Sequence, residues 1–111
     1  MKLDQFKSQL QQDGWAISNH TLENRGVDWY AWKSLDGVPD CECNQKPPSI
    51  CIMPWRLHHG AIVLESCEVE VAGKAKGQWI RLEAYSVRID EAIECLPRIT
   101  EQLRAAWISV A

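Results

Sequence analysis

The chain has 111 residues, 46% hydrophobic and 24% charged, with twelve Lys and Arg against fifteen Asp and Glu and a net charge of −3. That length reads as a single α+β domain, residues 1–111, able to bury roughly two-thirds of its unfolded surface without a staple. The basic residues are scattered from Lys2 to Arg104, which disfavours nucleic acid as a partner. Apolar runs such as Ala61–Leu64 are far too short to cross a bilayer, so no membrane partner is expected.

The segment Met1–Lys7 has no apolar h-region, which argues against an export signal. Five cysteines, an odd number, read as reduced thiols and a cytoplasmic location rather than as a disulfide framework.

Leu3, Phe6 and Leu10 recur at helical spacing and predict an amphipathic helix over 2–13, closed by Gly14 in a left-handed conformation. Trp15–Asn19 then changes to a strand, Glu23–Gly26 has turn residues, and Val27–Ser34 is a second strand with aromatics on both parities. Leu35–Ser49 is irregular, held by Asp36-Gly37, Pro39 and Pro47-Pro48. Ile50–Leu57 resumes an extended pattern, with Pro54 putting it at a sheet edge or ending it early. His58-His59-Gly60 reads as a turn.

Residues 61–72 and 78–88 form the clearest hairpin, connected by Gly73–Gly77. Setting Val71 opposite Ile80 brings Val69 to Leu82 and Cys67 to Ala84 on one face. The other face then holds Glu70 with Arg81, Glu68 with Glu83, and Ser66 with Tyr85. Ile62 and Leu64 are out of phase with this set, so a bulge near Glu65-Ser66 is expected. Asp90 is the expected N-cap of a last helix, whose stripe is Ile93, Leu96, Leu103, Trp107 and Val110. Pro97 should kink that helix or start another. The expected fold is a four- to five-stranded, mostly antiparallel sheet with the N-terminal and C-terminal helices packed on one face; a half-barrel around the last helix is the alternative.

Cys41, Cys43, Cys51, His58, His59 and Cys67 are the densest run of metal-binding or reactive groups. Zinc usually takes two close ligand pairs separated by two to four residues. Cys41-Glu42-Cys43 has one intervening residue, so no cofactor is expected, zinc from Cys41, Cys43, Cys51 and His58 or His59 being the alternative. Cys51, Cys67 and Cys95 fit buried apolar positions, whereas Cys41 and Cys43 lie in a polar loop. Asp40 and Glu42 should raise the pKa of those two thiols, against a redox role.

Trp79, Arg81, Glu83 and Tyr85 alternate along one strand beside Glu68 and Glu70. Flat aromatics next to an arginine favour contact surfaces, so these six are the expected partner-binding residues, for another protein or a second copy. The same carboxylates with Arg81 could instead form a small ligand or acid–base site. Trp15, Trp29, Trp32, Trp55 and Trp107 are expected in the core or partly buried. No phosphate-binding, zinc-protease or serine-hydrolase motif is found in the sequence, and a non-catalytic intracellular interaction module is the expectation.

Overall fold

The computed structural model describes residues 2–20 and 25–111, leaving aside the side chains of residues 84–86. Its elements are α1 (Leu3–Gln12), β1 (Ala16–Asn19), β2 (Trp29–Ser34), β3 (Ser49–His59), β4 (Ile62–Ala75), β5 (Gln78–Arg88) and α2 (Ile89–Val110). The strands form one antiparallel sheet in chain order, β1-β2-β3-β4-β5, so the α+β expectation holds.

Leu3, Phe6 and Leu10 are the buried stripe of α1. Gly14, at φ +89°, lets the Trp15 N–H reach back to the Leu10 carbonyl at 2.9 Å and close the helix. α2 buries Ile89, Ala92, Leu96, Ile99, Leu103 and Trp107 against the same core. Ile50, Ile52, Cys67, Val69 and Val71 meet the helices from the sheet. Both helices therefore cover one face and leave the other open. No helix of the described residues is long and apolar enough to cross a membrane.

Several expectations are corrected. β3 is the middle strand, not an edge. Pro54 ends only the β2–β3 ladder, which stops at Ala31↔Ile52, while β3 continues with β4 through Pro54↔Cys67. The second turn is Gly60-Ala61, so His58 and His59 belong to β3. α2 starts at Ile89 with Arg88 as N-cap, and Asp90 lies in its first turn. Pro97 sits inside one continuous helix. Pro97 is exposed, away from the buried stripe of the helix. The expected turn at Glu23–Gly26 is only partly within the described residues.

The main hairpin is longer than expected. Lys76 (φ +52°) and Gly77 (φ +77°) form a two-residue connection of the twisted kind that hairpins favour. This moves the register by two residues: Arg81 pairs with Ala72 and Leu82 with Val71. A shift of two preserves the faces. The bulge lies at Val69/Glu70, not at Glu65-Ser66, and beyond it Tyr85 pairs with Val69 rather than Ser66.

Gly73 belongs to β4 because no side chain fits there. A Cβ would collide with Cys41 Sγ and sit 2.9 Å from the Trp107 ring. At 14 residues, β4 spans about 46 Å of strand, which accounts for the 47 Å long axis of the molecule.

Candidate functional site

The open face is defined by strand pairing. Trp32 lies beside Cys51, which lies beside Glu70, which lies beside Glu83; Trp55 faces Ser66, and Leu57 faces Leu64. Next to them, Met53 pairs with Glu68 and His59 with Ile62. Aromatic and aliphatic side chains thus run along β2 and β3 towards the far end of the hairpin, and carboxylates run along β4 and β5.

Of the expected contact residues, Trp79, Arg81, Glu83 and Glu70 are brought together. Arg81 Nε donates to Glu70 at 2.7 Å, and Arg81 Nη2 lies 3.1 Å from Glu83. These carboxylates, Glu70 first, raise the pKa of the already basic guanidinium. Glu68 pairs instead with Arg25, at 3.3 Å, on the other side of β3. Trp79 is 67% exposed. The side chain of Tyr85 lies outside the described residues, and the bulge ends the alternating row at Glu83.

Trp15, Trp29 and Trp107 are buried, and Trp55 is half-buried, as expected. Trp32 is 40% exposed, because the face it stands on has no helix over it. Leu57, Ile62, Val63 and Leu64 are exposed as well. Ile62 and Leu64 need no bulge to bring them into phase, since neither belongs to the core.

The Cys/His segment does not form one site. β3 holds Cys51 and His58 at the two ends of an extended run of seven residue steps, roughly 23 Å. Cys41 and Cys43 belong to a loop that packs at the opposite end: the Glu42 N–H donates to the Lys74 carbonyl and the Glu42 carboxylate accepts from the Gly77 N–H. Among the described residues no three metal-binding side chains cluster.

Cys41 is 4% exposed, against expectation, because its loop folds back over Gly73. Burial, then the neighbouring Cys43, raises the pKa of its thiol; Asp40 adds a smaller push. Burial and Glu70 hold Cys51 up at about 11, and burial and Glu68 hold Cys67 at about 12. All three are protonated, poor nucleophiles at neutral pH.

Two hollows lie elsewhere. A groove of about 490 Å³ beside α2 is lined in part by Trp15, Lys33, Leu35, Leu96 and Arg104. Its cations are already engaged, Lys33 with the Asp13 carbonyl and Arg104 with the Asp36 carbonyl and Glu101. A notch of about 340 Å³ beside the far end of β4 includes Trp55, Val63, Leu64 and Glu65. Glu68, Glu70, Arg81 and Glu83 line neither of these two. Comparison with protein-family models, with curated proteins and with solved structures finds no match for this chain.

Proposed function

We propose that this chain is a non-catalytic intracellular protein-binding module that works through the open face of its sheet. The observation that carries the reading is the exposure of Trp79 and Trp32 on the face opposite both helices, beside the Arg81–Glu70–Glu83 ion pairs. Large aromatics next to an arginine are what protein contact surfaces concentrate. Arg25 and Arg81 pair with Glu68, Glu70 and Glu83, and Lys74 beside Trp79 brings this face close to charge balance, so the partner it suits is a protein segment that offers apolar and aromatic side chains. Five free thiols suit a reducing compartment.

The test places a photo-crosslinker at position 79 in the protein's own cells, with position 12 on α1 as control. The protein captured only from position 79 is purified, and its affinity is measured directly. Binding that falls at least about tenfold for the Trp79→Ala, Arg81→Ala double variant, with its thermal melt unchanged, supports the reading. Equal capture from both positions, or affinity unmoved by the double variant, defeats it.

A further inference from the structure

Beyond Ser66, β4 has a partner on one side only. β5 pairs with it from Ser66↔Arg88 onward, and at Ile89 the chain leaves the sheet for α2. The two-residue Gly60-Ala61 connection makes His59↔Ile62 the hydrogen-bonded pair that closes the arm. Antiparallel alternation then turns the N–H and C=O of Val63 and Glu65 away from β3. Arg56, opposite Glu65, shows the same alternation: its N–H points away from β4 and donates to the Arg25 carbonyl at 2.8 Å. Among the described residues, the main-chain groups of Val63 and Glu65 find no backbone partner. Free edges are ordinarily guarded by lysine, proline or a bulge. This one reads Ile62-Val63-Leu64, and the 340 Å³ notch runs alongside it.

We propose that two copies of the chain join edge to edge here, β4 pairing antiparallel with β4 of the second copy about a two-fold axis through Val63. Such an axis stands perpendicular to the sheet, so paired residues must share parity. Centring on Val63 sets Val63 against its own copy and Ile62 against the second copy's Leu64. Glu65 then faces Ala61, with reciprocal main-chain bonds at both positions. Centring on Leu64 would put Val63 against Glu65, and centring on Glu65 would oppose two carboxylates. Of these three registers, the one centred on Val63 matches apolar with apolar on both faces. Glu65 is already neutralised by Arg56 at 3.0 Å, so no unpaired charge enters the joint.

This self-complementarity favours a second copy over a foreign strand. The inference is separate from the reading of the open face, which the joint would extend into one continuous surface across both copies. A joint this short falls below the ~800 Å² per partner of standard interfaces, so the dimer should be weak, with Kd on the order of 10–100 μM.

Sedimentation velocity from about 1 μM to about 500 μM brackets the affinities expected of small interfaces. Amide exchange at Val63 and Glu65 is followed at the two extremes. The expected result is a monomer–dimer equilibrium with both amides protected only at high concentration. Val63→Pro deletes an N–H that no backbone bond among the described residues uses, and Val63→Lys guards the edge while keeping that N–H. Each should weaken the dimer at least about tenfold with the far-UV spectrum and melt retained; the lysine variant keeps the test open if the proline variant fails to fold. A wild type that stays monomeric throughout overturns the proposal, as does a dimer indifferent to both substitutions. Protection of Val63 and Glu65 that appears only when another protein is added also overturns it, assigning the edge to a foreign strand. None of these results bears on Trp79 and Arg81, which lie on β5 beside the other end of β4.

Discussion

Under the helices, β3 and β4 alternate strictly: Ile50, Ile52, Cys67, Val69 and Val71 point into the core, and Cys51, Met53, Glu68 and Glu70 point away from it. Past Pro54 and Cys67 the same strands run beyond the core cluster, and the inward parity is taken by the Arg56–Glu65 ion pair and then by His58 and Val63. The difference teaches that strand pairing alone carries the hairpin outward, while burial depends on how far the helices reach. A radius of gyration of 14.5 Å, against about 13 Å for a compact chain of this length, reflects the arm.

Breaking the covered part should give the largest effect. Trp107 is fully buried and donates its Nε1–H to the Pro39 carbonyl at 2.7 Å, so Trp107→Ala should lower stability by about 3–5 kcal/mol in urea titration. Gly73→Ala forces Cys41 and the Trp107 ring to move and should cost about 1–3 kcal/mol in the same assay.

The buried thiols supply a smaller, pH-dependent effect. Cys67 and Cys51 ionise at about 12 and about 11 when folded, against about 9 when unfolded. Above pH 9 the unfolded chain releases these protons first, so stability is full below pH 9 and falls as pH rises towards the folded values. The slope should reach roughly 1–3 kcal/mol per pH unit, each thiol giving about half, and Cys67→Ala should roughly halve it. Smallest of all, Trp79→Ala should stay within about 0.5 kcal/mol of wild type. An equally large loss at Trp79 and Trp107 would mean that the open face is covered in solution.

The helix stripes and the two faces of the main hairpin were legible because each follows a period that burial enforces. Its register was not. Gly73 reads as a turn residue in sequence, yet it lies in β4 because Cys41 and Trp107 occupy the space of its side chain. That contact joins residues far apart in the chain, which no local pattern encodes. The same long-range packing hid the burial of Cys41. Of the site, the cluster of Trp79, Arg81, Glu83 and Glu70 was legible from alternation. Trp32 and the arm were not, because an apolar residue in a strand carries no mark saying which face a helix will cover.

The meander order of the sheet also bears on how the chain acquires its structure. Every strand pairs with its neighbour in sequence, so each pairing closes a short loop and the sheet can grow in the order in which residues emerge from a ribosome. A chain synthesised only as far as Arg88 already holds all five strands, but the partner of its apolar face is α2, the last element to be made. Until those 22 residues appear, Ile50, Ile52, Val69 and Val71 have no helix α2 above them. The nascent sheet then has only α1 over its apolar face, and that interval is when it is most exposed to aggregation.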